Sequence, residues 1–148
     1  MGELLTVFTR AAKLMRGAAD VAMSRHGVRV GQNLLLEELW RSDGLTPGEM
    51  AQRLRVTTPT VVKMATRMEA TGLLSRRRDP RDARLVRLYL TERGRSLREA
   101  IERELEDLET RATATLDEQE RRHLSSALAK MIGNLERDVP LDSDNEIA

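Results

Sequence analysis

The 148-residue chain carries 25 Lys/Arg against 24 Asp/Glu, a net charge of +1, with 40% hydrophobic residues and no cysteine. These values place it in the size class of one domain and exclude disulfides, thiolate metal centres and cysteine redox sensing. Phe8, Trp40 and Tyr89 are its only aromatic residues, so the core must be aliphatic and no aromatic platform exists for stacking single-stranded bases.

In chain order, Leu4, Phe8, Ala11, Met15, Ala18 and Ala22 recur at helical spacing and predict a helix that ends near Gly27. A second helix is expected from about Gln32 to Arg41, stopping at Asp43-Gly44. Thr46-Pro47-Gly48-Glu49 follows, with Thr as N-cap, Pro in the first helical position and Glu at the third, the start of a capping-box helix. Met50, Ala51 and Leu54 give it a buried face, and Arg55-Val56-Thr57 makes the turn to a further helix over about 57–71. That helix buries Val61, Met64 or Ala65, and Met68, and ends at Thr71-Gly72 with glycine as a left-handed cap. The period then changes from 3.6 to 2: Leu73–Arg77 reads as a short strand, and 84–90 alternates with Val86, Leu88 and Leu90 on one face. The turn between them, Arg78-Asp79-Pro80-Arg81-Asp82-Ala83, completes a wing over about 73–90. Thr91 is placed to cap a long helix with the stripe Leu97, Ile101, Leu105, Leu108 and Ala112. Asp117 and Glu120 start a last one, with Leu124, Leu128, Met131, Ile132 and Leu135 as its stripe. The acidic, Pro-containing segment 137–148 is expected to be flexible.

The near-neutral total conceals a strong asymmetry. Residues 53–98 hold 13 Lys/Arg and four Asp/Glu, a net +9, while the remainder holds 12 bases and 20 acids, a net −8. A basic block between acidic flanks marks a polyanion-binding module when it coincides with a DNA-reading topology, and here it covers the helix-turn-helix and wing. If Val61, Met64, Ala65 and Met68 pack inward, Thr58, Pro59, Val62, Lys63, Thr66 and Arg67 point outward. Lys63 and Arg67 can reach guanine acceptors or phosphates, Thr58 and Thr60 can hydrogen-bond phosphates or bases, and Val62 can touch a thymine methyl. Val62 also admits a second reading, as a minor core residue. In the wing, Arg76, Arg77, Arg78 and Arg81 surround the turn and Arg84 begins the return strand. An Arg enters a narrow minor groove favourably, and Asp82, two residues before Arg84, makes sense there if its carboxylate holds the guanidinium in one orientation.

The stretch LTPGEMAQRLRVTTPTVVKMATRMEATGLLSRRRDPRDARLVRLYLTERGRSL, residues 45–97, resembles the MarR-type (multiple antibiotic resistance) regulators. Its capped helix, Thr-started recognition helix ending in Gly-Leu, basic strand, Asp-Pro-x-Asp-x-Arg wing and closing Leu-Thr-x-x-Gly all match that pattern. The resemblance implies a mainly α fold with a small β wing: a winged helix-turn-helix DNA-binding lobe (31–96) between an N-terminal dimerisation helix (1–30) and C-terminal dimerisation helices (97–136). It further implies a homodimer whose interface includes Leu4, Phe8, Leu105, Leu124, Leu128 and Ile132. In the same resemblance Arg84 is the minor-groove arginine, Asp82 its orienting acid, and Thr58, Thr60, Lys63 and Arg67 the recognition-helix contacts. Val62 and Thr66 depart from the pattern, standing where a small polar residue and an acid are common, so sequence preference should differ.

The resemblance also implies a small aromatic or anionic effector. Met15, Met23, His26 and Trp40 are candidate lining residues, with Arg16 or Arg25 as anion partner; ordinary helix packing is the competing reading for each. His26 and His123 lie on different helices, and neither metal-ligand spacing nor a phosphate-binding Gly loop appears, so no cofactor, metal or enzymatic activity is expected. No apolar run approaches a membrane span and no signal-peptide pattern opens the chain, so a cytoplasmic location is expected. The expected function is a homodimeric, ligand-responsive repressor on a pseudo-palindromic duplex operator. The alternatives are a winged-helix protein-interaction module and a non-specific DNA-binding protein without an effector.

Overall fold

The computed structural model describes residues 2–141. Its elements run α1 (Glu3–Ser24), α2 (Gln32–Arg41), α3 (Pro47–Leu54), α4 (Thr58–Ala70), β1 (Leu74–Arg78), β2 (Val86–Leu90), α5 (Glu92–Ser96), α6 (Arg98–Ala112) and α7 (Glu118–Leu135). Residues 142–148 of the expected tail lie outside the described residues, and 137–141 form turn and extended backbone after α7.

Local chemistry sets most boundaries. The capping box at α3 is complete: the Glu49 N–H donates to Thr46 Oγ1 (3.1 Å) and the Thr46 N–H to Glu49 Oε2 (3.1 Å). Asp117 and Glu120 repeat the device at α7. Each box satisfies two amide donors that a helix start otherwise leaves without partners. The α4 helix closes on Gly72, whose φ of 78° is open to glycine at no steric cost. Past Thr91 the structure differs from the single long helix expected. The Thr91 hydroxyl accepts from the Gly94 N–H (3.1 Å) and starts α5, but a turn at Leu97 separates it from α6. Leu97 keeps right-handed helical angles, and the bonds Leu97 N–H to Arg93 O and Ile101 N–H to Leu97 O carry the chain onward. The break follows two poor helix formers, Gly94 and Ser96.

One aliphatic core lies under the basic lobe. Met23, Val28, Leu35, Leu36, Met50, Val61, Ala65, Met68, Leu73, Leu88 and Ile101 are fully buried in it, each larger side chain contributing about 1.5–3 kcal/mol. The two strands pair antiparallel from Leu74↔Leu90 to Arg78↔Val86. Leu88 and Leu90 face the core as expected, whereas Val86 sits at the outer end of β2 and is exposed. Leu45 bridges to Leu88, so the segment before α3 acts as a short third edge at the base of the wing.

Gly94 explains the Leu-Thr-x-x-Gly ending. A Cβ at this position would run into the Leu73 carbonyl, so only glycine lets α5 lie against the start of the wing. The Gly94 carbonyl in turn accepts from Trp40 Nε1 at 2.9 Å.

The outer helices behave differently. Leu4 (73% exposed), Leu5, Val7, Phe8, Leu14 and Met15 of α1 are uncovered. No residue of α7 is buried, and Leu124, Ile132 (58%) and Leu135 are exposed. The stripes of α1 and α7 face each other across a groove of 810 Å3 lined almost wholly by apolar side chains, among them Phe8, Leu124, Leu128 and Ile132. Leu105 does not belong to this face. It packs against the main core, because α6 lies along the body of the lobe. No helix among the described residues is long and apolar enough to cross a membrane.

Candidate nucleic-acid interface

The phase of α4 decides which side chains it offers. Val61, Ala65 and Met68 are buried, while Thr58, Pro59, Val62, Lys63, Thr66 and Arg67 lie on the exposed face. Val62 is 39% exposed, which places it on the outer face and not in the core. Thr60 is a correction: it is 4% exposed, and its hydroxyl lies 3.0 Å from that of Thr57. It shares the side of α4 that carries Lys63 and Arg67 and lines the same cleft as they do, but it sits at the buried bottom of that side.

The wing separates its arginines into braces and a presented group. Arg76 turns back onto α4, donating from Nε and Nη2 to Glu69 Oε1 (3.2 and 2.9 Å) and from Nη1 to Thr66 Oγ1 (3.2 Å). Its own N–H donates to Glu69 Oε2 (3.1 Å), and these bonds hold the Glu69 carboxyl below the usual carboxylate range. Arg76 is therefore a brace between strand and helix, not one of the outward wing contacts expected. Thr66, whose hydroxyl also donates to the Val62 carbonyl, is largely committed to the same joint. Arg77 lies 4.7 Å over the Tyr89 ring, and Arg78 donates to the Ala83 carbonyl across the turn.

At the tip the Asp82 carboxylate receives the Arg84 guanidinium side-on, Nε to Oδ1 at 3.1 Å and Nη2 to Oδ2 at 3.2 Å. The Arg84 side chain is nevertheless 91% exposed. Arg84 thus stands outward in a fixed orientation, as its spacing from Asp82 predicts. Arg81 is also exposed at the tip. Hydrogen bonds from Arg84 lower the Asp82 pKa, so the clamp stays ionised.

A second clamp escapes the sequence reading. Asp79 accepts from Arg87 Nε (2.6 Å) and from the N–H groups of Arg81 (2.7 Å) and Asp82 (3.1 Å). Arg87 also donates to the Gly44 carbonyl (2.9 Å), tying the wing tip to the segment before α3. The Arg87 hydrogen bond is the main cause of the lowered Asp79 pKa. Asp-Pro-Arg-Asp carries a turn signal in which an Asp side chain accepts backbone N–H groups two residues on. Arg87, eight residues away, has no such signal and is found only once the strands pair.

The four residues proposed for an effector do not converge. Met23 is fully buried in the core, and Trp40 packs against that core with its indole N–H satisfied by Gly94. His26 lies 3.2 Å from Glu104 on α6, whose other oxygen takes Arg25. Met15 lines the apolar groove between α1 and α7. A separate cleft of 430 Å3 opens beside α4, with Asp20, Arg29 and Gln32 on one wall and Lys63, Met64 and Arg67 on the other. Among the described residues no group of three His, Asp or Glu side chains is placed to hold a metal ion.

Comparison with known proteins agrees with this geometry. The uncharacterized HTH-type transcriptional regulator YdgJ of Bacillus subtilis is 28% identical over 109 residues, which is 74% of this chain and 66% of that relative. The HTH-type transcriptional regulator TtmR of Methylorubrum extorquens is 34% identical over 109 residues, 74% of this chain and 55% of that relative. The matches therefore span only about half to two thirds of these curated relatives' own lengths. The crystal structure of an S. aureus MepR–DNA complex superposes with a TM-score of 0.81 at 27% identity, covering 91% of this chain and all of that one. The family model described as MarR family matches residues 30–86, the segment holding the helix-turn-helix and most of the wing.

Proposed function

We propose that this protein is a transcriptional regulator that binds duplex DNA as a homodimer, laying α4 in the major groove and the wing in the adjacent minor groove. The observation that carries the reading is the Asp82–Arg84 clamp, which presents a fully charged guanidinium at the wing tip in one orientation. Orienting a long side chain before contact lowers the entropy lost on insertion, and a narrow minor groove concentrates negative potential. Lys63 and Arg67 lie on the exposed face of α4, where base edges and phosphates are within reach. The likeness to the MepR–DNA complex supports the DNA-binding reading.

The second protomer follows from the uncovered apolar faces of α1 and α7. A helix of 18 residues that buries nothing in its own chain is marginal in water, and the groove beside it carries almost no polar surface. A second copy supplies the matching stripe about a two-fold axis. Such symmetry fits a pseudo-palindrome with half-sites about 10 bp apart. Repression follows if the operator overlaps a promoter. For effector response, the cleft beside α4 is a candidate place: a small anion drawn to Lys63 and Arg67 would occupy cations offered to DNA, so ligand and duplex would exclude one another.

The test is selection of sites from a random duplex pool, followed by titration of the selected site with wild-type protein and Arg84→Ala. A two-fold-symmetric motif and a 10- to 100-fold weaker variant, from about 1–3 kcal/mol for one good contact, are expected. Unchanged affinity in a folded, dimeric Arg84→Ala protein would sink the wing assignment. Recovery of no motif would favour the protein-interaction reading.

A further inference from the structure

Three helices of this protein close on the same turn, and one of them does so with an unexpected residue. After α1, Gly27 has φ 73° and the Val28 N–H reaches back to Met23 O at 3.1 Å. After α4, Gly72 has φ 78° and the Leu73 N–H reaches Met68 O at 2.9 Å. After α3, the same closure joins the Val56 N–H to Ala51 O at 3.1 Å, but the left-handed position, φ 56° and ψ 46°, is held by Arg55. Among the described residues Arg55 is the one non-glycine with positive φ. A side chain with a Cβ is disfavoured there, so the turn itself gives no reason for arginine.

The side chain gives the reason. Arg55 Nη2 donates to the backbone carbonyl of Glu136 at 2.9 Å, across 81 residues of sequence. Glu136 is the C-cap of α7, where carbonyls lack intrahelical partners and the helix dipole is negative, so a guanidinium is well matched. Arg55 also lies three residues before Thr58, at the end of α4 that leads into DNA. The bond therefore runs from the turn of the helix-turn-helix to the end of the helix that faces the apolar groove, and both of its residues stand at that groove's rim.

We propose that Arg55 is a positioning residue: its guanidinium, braced on the C-terminal carbonyl of α7, sets the angle between the DNA-reading helix and the dimerisation helices. In a two-fold dimer that angle fixes the separation of the two recognition helices, and so the half-site spacing that is bound. This inference rests on the homodimeric reading.

The test uses the full chain and a selected duplex site rebuilt with its half-sites moved apart or together by one and two base pairs. Arg55→Gly keeps the left-handed turn and removes the strut; Arg55→Lys keeps a cation able to donate to the same carbonyl. Sedimentation establishes the oligomeric state before each titration. The glycine variant is expected to remain a folded dimer but to lose discrimination among spacings by roughly 10-fold, within the range of ordinary intersite coupling, and the lysine variant to restore part of it. A dimeric glycine variant with wild-type spacing preference overturns the proposal. So does a uniform loss of affinity with a salt slope smaller by about 1, which identifies Arg55 as a phosphate contact instead. Wild-type protein that sediments as a monomer refutes the dimeric reading itself, a result separate from either of these.

Discussion

The wing and the α1–α7 pair handle their side chains in opposite ways. In the wing nearly every charge has a named partner: Arg76 with Glu69, Arg87 with Asp79, Arg84 with Asp82. Beneath it Leu73, Leu74 and Leu88 are buried. The basic lobe completes its own structure and spends its ion pairs on shape, since exposed pairs add little stability but can fix an orientation. The α1–α7 pair instead leaves Leu4, Phe8, Leu124 and Ile132 uncovered. One region is finished within the chain and the other leaves an apolar face uncovered. Under the proposed function, the difference separates the groups that would meet DNA from those that would join two chains.

The largest effect is expected from breaking the unfinished half. Ile132→Glu places a charge in the apolar groove, and sedimentation should show monomers. Affinity for a two-half-site duplex should fall by about 10²–10⁴-fold through loss of bivalency. A dimeric Ile132→Glu protein would place the interface elsewhere. Next comes Gly94→Ala, which drives a Cβ into the Leu73 carbonyl and forces α5 away from the wing. A loss of about 1–3 kcal/mol is expected in denaturant titration. An unchanged midpoint would mean that the contact relaxes without cost.

Asp82→Ala probes the finished half. The arginine remains but its orientation is lost, so the variant should bind duplex more weakly than wild type and more tightly than Arg84→Ala. If it bound more tightly than wild type, removal of a negative charge near phosphate would outweigh orientation. The smallest effect concerns acid. Asp79 and Asp82 of the wing, and Glu69 of α4 where Arg76 of the wing meets it, all have lowered pKa values, each chiefly through an arginine side chain. Stability from these groups is fully present above the ordinary carboxylate pKa values of about 4. It is lost as pH falls through the lowered folded values. Amide exchange should show the wing loosening below about pH 4 while α4 stays protected, and Asp79→Asn should abolish its share. Equal loss of protection in wing and α4 would mean that these clamps do not hold the wing separately.

Several features could be read directly from the residues. The capping boxes at Thr46–Glu49 and Asp117–Glu120 are contacts within one helical turn, so their spacing contains them. The exposed face of α4 follows from its apolar period, and the Asp82–Arg84 clamp from two residues in a tight turn. Thr60 shares a side of α4 with Lys63 and Arg67, but tertiary packing buries it there, its hydroxyl 3.0 Å from that of Thr57. The effector candidates are dispersed: Met23 lies in the core, His26 beside Glu104 of α6, and Trp40 donates to Gly94 of α5.

By itself the sequence determined what propagates over a few residues: helix starts and stops, the change of period into the wing, and the basic block between acidic flanks. Tertiary structure alone decided the long-range pairings: Arg76 onto Glu69, Arg87 onto Asp79, Leu105 into the core and Arg55 onto the end of α7. The reason is physical. A cap or turn is satisfied by neighbours whose distance the backbone fixes, whereas an arginine can reach many acceptors, and packing determines which of them lies at hand.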